Sequence, residues 1–461
     1  MIPFSLPRRV AILLAEETTL IASVVKWTVL AAVVGTLAGS ATAAFLGVLA
    51  WAMAQMQHAA APLVWLPVGF VAAHLLVRAL APEAEGHGTD KVIEAVHRRA
   101  GLIPFAVAPV KLVATVVTVA VGGSVGKEGP AAQIGAALAS GLASVLRLRA
   151  DDRRKLVICG IGGGFASVFG TPIAGSVFGL EVLVLGTVMY DVIYPSFVAG
   201  IVAHHVASRL GVAYFHQALY DIPRQTEGIL LKTVVAGVVF GLVALLLIEA
   251  MRLAHGLAHR IPGPRWVVAG GGGALLAGLA WMCSDRYLGL GIPTLEGSIR
   301  GGWVPPGAFA LKILFTAISL GAGGSGGIVT PIFFIGATAG STLATLLGFD
   351  RGTFAAIGMV ALLAGAANAP LAASIMAIEL FSPAVAPFAA IACIASFVIV
   401  GHRSVYPSQI LGMAKTRSVR VVAGVDLASM EEIRIHPTSR RLHRLLRALR
   451  RVRNAGMIGR R

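Results

Sequence analysis

Residues 122–140 read GGSVGKEGPAAQIGAALAS and place one carboxylate, that of Glu128, between glycines and just before Pro130. A proline at this point can open a helix, and a helix N-terminus carries a partial positive charge. Glycine-rich backbone beside it can turn several N–H groups toward one point. The segment therefore predicts an anion site in which Glu128 is a built-in anion, competing with a solute anion for the same place.

The same pattern returns in the second half of the chain. Residues 323–341 read GGSGGIVTPIFFIGATAGS and match the first segment without a gap, at an offset of 201 residues. The residues of the first copy that recur are Gly122, Gly123, Ser124, Gly126, Pro130, Ile134, Gly135, Ala136 and Ser140. Further matched pairs are Lys111 with Lys312, Pro172 with Pro370 and Glu181 with Glu379. So long a period does not fit a solenoid but is typical of the duplicated halves of membrane transporters.

Charge indicates how the two halves are oriented. The loop after the first repeated helix contains five basic residues between positions 147 and 155, whereas its counterpart near 348–352 has only Asp350 and Arg351. By the positive-inside rule the first loop is cytosolic and the second lies outside. Equivalent loops on opposite sides indicate an inverted repeat.

The composition indicates a membrane protein. Of the 461 residues, 57% are hydrophobic and only 13% are charged, against roughly 25% charged residues in soluble domains. We expect an all-α polytopic fold, because unpaired strand edges are not tolerated in lipid. Glycines and prolines interrupt many of the apolar runs, which predicts broken helices that meet at a mid-membrane anion site. The three candidate breaks are residues 86–89, 122–130 and 323–331.

The chain divides into five predicted parts. They are a cytosolic N-terminal segment (1–20), a first membrane repeat (21–215), a connection (216–227), a second membrane repeat (228–412) and a basic cytosolic tail (413–461). The tail contains ten arginines from Arg434 onward, within a net charge of +17. After a membrane domain, such a tail favours contact with anionic lipid over nucleic acid. The three cysteines are isolated in apolar surroundings and are interpreted as packing residues, with no metal site.

One motif of soluble enzymes occurs at two places in the chain, but without the context that it needs. Gly122 to Gly126 and Gly323 to Gly327 both fit G-x-S-x-G, around Ser124 and Ser325. A nucleophile elbow, however, needs a preceding strand, a histidine and an acid. An intramembrane serine hydrolase therefore remains only as an alternative from another functional class.

Carboxylates inside the membrane are costly, so each one calls for a role. Glu128 has Val329 at the matching position of the other half, which favours a functional role over a structural one. Glu181 and Glu379 occur in both halves, which favours structural hydrogen bonding. Lys111 and Lys312 are paired in the same way and are interpreted as packing or network charges.

These residues resemble the CLC family of chloride channels and chloride/proton antiporters, of the prokaryotic type. The resemblance covers roughly residues 25–412. GKEGP at 126–130 matches the family's G-K/R-E-G-P segment, Gly86-His87-Gly88-Thr89-Asp90 aligns with G-S-G-I-P, and Gly327-Ile328-Val329-Thr330-Pro331 with G-x-F-x-P. Tyr406 matches a late tyrosine that contacts the central anion. The resemblance implies a homodimer with one pathway per subunit.

The resemblance also implies the site residues. By this resemblance Glu128 would be the gate, and the expected anion-binding residues are Tyr406, His87, Gly88, Ile328, Val329, Gly126 and Gly129. His87 stands where the family has a serine; imidazole, with a reference pKa of about 6.5, could offer an N–H or a positive charge. Family antiporters carry an inner glutamate directly after Glu181, where this chain has Val182. The proton pathway is therefore expected to involve Glu128 and Glu181, with weak or absent coupling because an aliphatic side chain cannot relay a proton.

The functional prediction is chloride or related small-anion transport through a Glu128-gated pathway, channel-like or weakly proton-coupled. The alternatives are a chloride/proton antiporter and a fluoride exporter, since the family's fluoride branch also departs from serine at the first motif. We expect location in the cell (inner) membrane with a cytosolic tail, no metal or organic cofactor, and no enzymatic activity.

Overall fold

The fold is seen in a computed structural model that describes residues 8–59, 61–217, 219, 227–416, 419–420, 424–427 and 434–435. The start of the predicted N-terminal segment, much of the predicted connection and the arginine-rich tail beyond residue 435 lie outside the described residues.

The described residues form sixteen α-helices, eight in each half, in the same order. The first half contains α1 (Arg8–Gln57), α2 (Trp65–Leu80), α3 (Thr89–Arg98), α4 (Val107–Ala120), α5 (Glu128–Val145), α6 (Ala150–Phe169), α7 (Pro172–Glu181) and α8 (Tyr190–Arg209). The second half contains α9 (Glu227–Arg260), α10 (Arg265–Met282), α11 (Ile292–Ile299), α12 (Ala308–Gly321), α13 (Val329–Leu347), α14 (Arg351–Ala367), α15 (Pro370–Leu380) and α16 (Ala386–Val400).

Strands are confined, within the described residues, to two short pairs. The first is β1 (Val184–Leu185), parallel to β2 (Ile410–Leu411); the second is β3 (Val419–Arg420), antiparallel to β4 (Arg434–Ile435). The predicted all-α polytopic class is therefore confirmed.

Long and short apolar helices are mixed, as the glycine and proline breaks predict. Five helices of the described chain are long and apolar enough to cross a membrane, while α4, α12, α14 and α15 are apolar but have only 10–17 residues. The short helices α4 and α12 each end at a glycine-rich break, after which α5 and α13 begin. The broken helices of the two halves therefore place their ends beside one another inside the protein.

Glycine pairs bring successive helices of each half into backbone contact. A Cβ atom on Gly135 of α5 would collide with the carbonyl oxygen of Gly160 on α6, and the same holds for Gly336 of α13 against Gly358 on α14. Because side chains at these points would force the helices apart, the glycines fix how α5 and α13 pass through the core. This packing positions the N-termini of both helices.

The paired lysines hold the loops that lead into the interior. Both Lys111 and Lys312 are fully buried. The Nζ atom of Lys111 donates to the carbonyl oxygen of Gly86 at 2.5 Å, and that of Lys312 donates to Gly289 at 2.8 Å. These contacts agree with the interpretation of both lysines as packing or network residues, because each satisfies a carbonyl group of an unwound segment.

Glu181 and Glu379 form a reciprocal pair of helix caps. The carboxylate of Glu181, at the end of α7, accepts hydrogen bonds from the N–H groups of Leu371 and Ala372 at the start of α15, at 3.0 and 2.8 Å. Glu379 accepts from the first N–H groups of α7 at the same two distances. Each carboxylate thus satisfies free donors and the positive end of a helix dipole, as expected for structural groups.

The cysteine interpretation holds for two residues and is wrong for the third. Cys159 and Cys393 are buried, whereas Cys283 is exposed. Cys283 follows the last turn of α10, where Trp281 and Met282 are also exposed. The apolar neighbours that suggested packing therefore belong to an outward-facing helix end.

Candidate anion site between the two halves

The two glycine-rich breaks meet and hydrogen bond to each other. Gly126 and Gly327 form an antiparallel bridge, in which each N–H donates to the other's carbonyl oxygen at 2.6 Å. A Cβ atom on Gly126 would come within 2.9 Å of the backbone nitrogen of Thr330, so only glycine permits this approach. The bridge joins equivalent positions of the repeat, which run in opposite directions.

Glu128 is bound by the other half of the chain. Its side chain is buried, and its carboxylate accepts from the backbone N–H of Thr330 at 3.0 Å and from the Thr330 hydroxyl at 2.6 Å. Thr330 lies in the first turn of α13, where N–H groups are free and the helix dipole favours an anion. The carboxylate therefore already occupies an anion-binding position.

Ile328 and Val329, predicted to offer backbone N–H groups, lie at the start of the same helix and are buried. They are the residues just before Thr330, so the structure brings them to the helix end that binds Glu128. Both side chains are apolar and buried, so they pack this end of α13 into the protein interior.

The third break packs onto the first. Gly88 has a positive φ of 84°, and a Cβ atom there would approach the carbonyl oxygen of Gly129 to 2.7 Å. The His87 carbonyl oxygen is likewise in contact with Gly129. All three glycine-rich segments therefore converge, which brings the predicted residues Gly88, Gly126 and Gly129 together.

His87 and Tyr406 face one another beside these segments. Their ring centroids are 5.8 Å apart, at an interplanar angle of 58°. Tyr406 is fully buried, whereas His87 is only partly buried. The structure therefore places both predicted side chains at one point, although 319 positions separate them in the chain numbering (406 − 87).

Four buried polar atoms near this point have no hydrogen-bond partner within the part of the chain that the structure describes. They are His87 Nδ1, Thr89 Oγ1, Gln133 Oε1 and the Tyr406 hydroxyl. An unpartnered buried polar group costs about 1–3 kcal/mol, so such a cluster is typical of a site that binds a small polar species. The Gln133 oxygen lies 3.2 Å from the point where a Cβ atom on Gly88 would stand, which connects it to the His87 loop.

Sequence reasoning did not single out Thr330, Thr89 or Gln133. For Thr330 a signal was present, because threonine stands where the repeat has Gly129 in the other half. Gln133 is one of few polar residues in an apolar helix. Only their positions in three dimensions, however, give these residues a common neighbourhood.

Asp90 connects α3 to the segment that carries Tyr406. Its carboxylate accepts from the backbone N–H of Ser408 at 2.9 Å and from the Ser408 hydroxyl at 3.1 Å. Where the resembling family has a proline, this chain therefore has a link that holds Tyr406 against the His87 loop.

Val182, which by the resemblance stands where family antiporters carry an inner glutamate, is fully buried. Its carbonyl oxygen accepts a hydrogen bond from Gln409 Nε2 at 2.8 Å. A cavity of about 530 Å³ lies nearby, lined among others by Glu181, Asn368 and Phe397. Both carboxylate oxygens of Glu181 are already engaged in capping α15.

The serines of the G-x-S-x-G motifs contact threonines. The Ser124 hydroxyl lies 3.1 Å from that of Thr316, and the Ser325 hydroxyl lies 3.5 Å from that of Thr115. A hydroxyl cannot act as the general base that a serine nucleophile needs. These contacts therefore give the hydrolase alternative no support.

Comparisons with known proteins point to one family. The sequence profile described as "Voltage gated chloride channel" matches residues 68–401. A curated relative, a chloride/fluoride channel protein of Pseudomonas syringae pv. tomato (strain ATCC BAA-871 / DC3000), is 41% identical over 408 residues, covering 87% of this chain and 90% of the relative.

Two solved structures of antiporters have a similar architecture. A CLC-type fluoride/proton antiporter superposes with a TM-score of 0.80 at 29% identity, covering 84% of this chain and 98% of that one. A slow cyanobacterial Cl⁻/H⁺ antiporter superposes with a TM-score of 0.71 at 20% identity, covering 81% and 94%; at this identity the likeness concerns the fold alone.

Proposed function

The chain belongs to the CLC family of voltage-gated chloride channels, whose members transport anions, and we propose that it carries fluoride in preference to chloride through a pathway gated by Glu128. Two points are proposed: the preference for fluoride and the role of Glu128 as the gate.

The contact between Glu128 and Thr330 carries the proposal. A hydroxyl donor at 2.6 Å from a carboxylate oxygen is typical of a short, charge-assisted hydrogen bond. Fluoride resembles a carboxylate oxygen in size and in strength as a hydrogen-bond acceptor, whereas chloride is larger and a weaker acceptor. A donor pair that binds the Glu128 oxygens this closely is therefore suited to fluoride once Glu128 has left.

The side chains next to this pair fit the same ion. Fluoride holds its water tightly, so a dehydrated site must offer strong donors in return. The hydroxyls of Thr89 and Tyr406 and the Nδ1 atom of His87 are buried and have no hydrogen-bond partner among the described residues. Two of the similar proteins are named for fluoride as well, one as a channel and one as a proton antiporter.

Gating follows from the charge of Glu128. While ionised, its carboxylate accepts from Thr330 and fills the outer anion position. Protonation weakens these hydrogen bonds, because a neutral acid is a poorer acceptor than a carboxylate. The side chain then yields the position to the transported anion, and no metal or organic cofactor takes part in this step.

The test is transport by the purified protein in liposomes loaded with fluoride or chloride salts. Efflux is followed with ion-selective electrodes while the internal pH is recorded with a trapped dye. We expect fluoride efflux to exceed chloride efflux about tenfold or more, since a difference of about 1.4 kcal/mol in binding is tenfold. Equal or faster chloride efflux would instead identify a chloride transporter.

Assembly and location complete the proposal. We propose a homodimer in the cell (inner) membrane, with the tail in the cytosol. Exposed apolar residues such as Ile201, Leu371 and Ile394 on α8, α15 and α16 fit a surface that faces lipid or a second subunit. Photobleaching of single labelled particles in lipid should show two steps, and a single step would contradict the dimer.

A further inference from the structure

Two carboxylates near Tyr406 are bound in the same way. Glu128 accepts from the backbone N–H and from the hydroxyl of Thr330, at 3.0 and 2.6 Å. Asp90 accepts from the backbone N–H and from the hydroxyl of Ser408, at 2.9 and 3.1 Å. Tyr406 interacts electrostatically with both carboxylates. The pair of donors that makes the Glu128 position suitable for an anion is therefore present a second time.

The Asp90 contact lies closer to the protein surface than the Glu128 contact. Glu128 and Thr330 are buried, whereas Asp90 and Ser408 are half-buried and the neighbouring Pro407 is exposed. Water and dissolved ions therefore reach the second contact more readily than the first.

The contact joins the two segments that carry the central ring pair. The rings of His87 and Tyr406 face each other, with 5.8 Å between their centroids. Asp90 comes three residues after His87, and Ser408 comes two residues after Tyr406. The hydrogen bonds between Asp90 and Ser408 therefore close the gap between these segments next to the ring pair, at the start of α3.

Helix α3 leads from this contact to the basic stretch 147–155. Arg153 of that stretch donates through its Nε atom to the carbonyl oxygen of Ala100, just beyond the end of α3, at 2.9 Å. The positive-inside rule assigns this side of the protein to the cytosol. The Asp90 contact and the Glu128 contact are therefore different positions, and the first belongs to the helix that ends at the basic side.

The carboxylate of Asp90 is held by hydrogen-bond donors rather than by a cation. Within the part of the chain that the structure describes, Asp90 forms no ion pair, and the adjacent Lys91 pairs with Glu94 at 3.1 Å. Lys91, Glu94 and Arg98, all on α3, interact with Asp90 electrostatically. The groups that bind its carboxylate are the two Ser408 donors and the positive end of the α3 dipole. Such groups bind small anions in general.

We infer that Asp90 is a second carboxylate gate, whose side chain occupies an anion position at the start of α3 and competes with the transported anion for the donors of Ser408. The inference rests on the proposed Glu128-gated transport of fluoride. It concerns a feature in which this chain departs from the family motif, because the resembling G-S-G-I-P segment has a proline where Asp90 stands.

The gate opens when the carboxylate of Asp90 turns away from Ser408. Because Asp90 is half-buried, its carboxylate can turn toward water and stay solvated. Ser408 then offers its N–H and its hydroxyl to a fluoride ion, which resembles a carboxylate oxygen as an acceptor. The hydroxyls of Thr89 and Tyr406, buried and without a hydrogen-bond partner among the described residues, are the next donors that the ion meets. The ion thus displaces one carboxylate at Ser408 and the other at the Glu128 position.

The test measures fluoride binding to the purified full chain in detergent by isothermal titration calorimetry at neutral pH. Wild type is compared with Asp90→Asn and Asp90→Pro. Asparagine keeps an oxygen that can accept from Ser408 but carries no charge, and proline is tolerated in the first turn of a helix. The matched control is Glu94→Gln, which removes a carboxylate of the same helix that pairs with Lys91 instead of Ser408.

We expect both Asp90 variants to bind fluoride about tenfold more tightly, because the ion no longer displaces a charge-assisted hydrogen bond. The control should bind fluoride as wild type does. If Asp90 only fastens the two segments together, asparagine keeps the wild-type affinity, and proline weakens binding together with thermal stability.

An Asp90→Asn variant with wild-type affinity overturns the inference, and this variant decides if the proline variant does not fold. Equal tightening in Glu94→Gln overturns it as well, since the effect would then be one of net charge. Glu128→Gln is titrated in the same way. If that variant binds fluoride no more tightly than wild type, the proposed Glu128 gate is contradicted, and the Asp90 comparison keeps its own result.

Discussion

The carboxylate of Glu128, which opens α5, is held by Thr330, in the first turn of α13, through one backbone and one hydroxyl donor at 3.0 and 2.6 Å. In the mechanism proposed above, the gate of one half is thus held closed by the other half. The two residues of this contact stand at neighbouring repeat positions, because Thr330 corresponds to Gly129.

Glu128→Gln should leave the pathway open and remove the pH dependence of transport. An amide is neutral, so it loses the charge-assisted contact with Thr330 and cannot titrate. Anion efflux from liposomes, measured between acidic and neutral pH, checks this. A variant whose efflux still varies with pH as in wild type would show that Glu128 is not the gate.

Thr330→Val should reduce the preference for fluoride over chloride, while Thr330→Ser should retain it. Both variants keep the backbone N–H, but only serine keeps a hydroxyl. A hydrogen bond to a charged group contributes about 1.5–3 kcal/mol, so the fluoride-to-chloride ratio should fall about tenfold or more in the valine variant. Equal ratios in the two variants would contradict a role for the hydroxyl in selection.

His87→Ser should shift the ratio of fluoride to chloride transport. The substitution replaces an imidazole next to Tyr406 with the smaller hydroxyl that the family usually carries here, so it changes the donor that a dehydrated anion meets. Competition between the two ions in the same liposomes measures the shift. If expression, flux and ratio all match wild type, the imidazole is turned aside and only the backbone faces the ion.

Cysteines at Val145 and Leu346 should react with impermeant reagents from opposite sides of the membrane. These residues are equivalent in the repeat, lie in the last turns of α5 and α13, and are 80% and 77% exposed. The background must lack the three native cysteines, because Cys283 is exposed. Labelling of both positions from one side would refute the inverted orientation.

Glu181→Gln and Glu379→Gln should destabilise the protein to a similar extent. Each replaces a carboxylate that accepts two N–H groups at a helix start, a contribution of about 1.5–3 kcal/mol for a charged acceptor. Thermal unfolding in detergent gives the comparison, with each variant as the other's control. A Glu181 variant that unfolds like wild type but loses proton movement would assign Glu181 to the proton pathway.

Much of the architecture can be predicted from the sequence alone, because local sequence patterns indicate it. The 201-residue offset shows the duplication, the uneven basic loops show the inversion, and the glycine-rich breaks show where helices stop. Glu128 stands out because it occurs in one half only, and Glu181 and Glu379 stand out because they occur in both. Each of these features can be seen without knowing which residues touch.

The contacts of the site were decided by the tertiary structure. Thr330 binds Glu128, Ser408 binds Asp90 and Tyr406 faces His87 only because the two halves pack against each other. Such neighbours are far apart in the chain, and the hydropathy pattern does not indicate which helix ends contact each other. For the same reason the prediction for Cys283 was wrong: its apolar neighbours indicated burial, but the end of α10 faces outward. Local composition determines that a helix breaks, whereas close packing of the broken ends determines what each break binds.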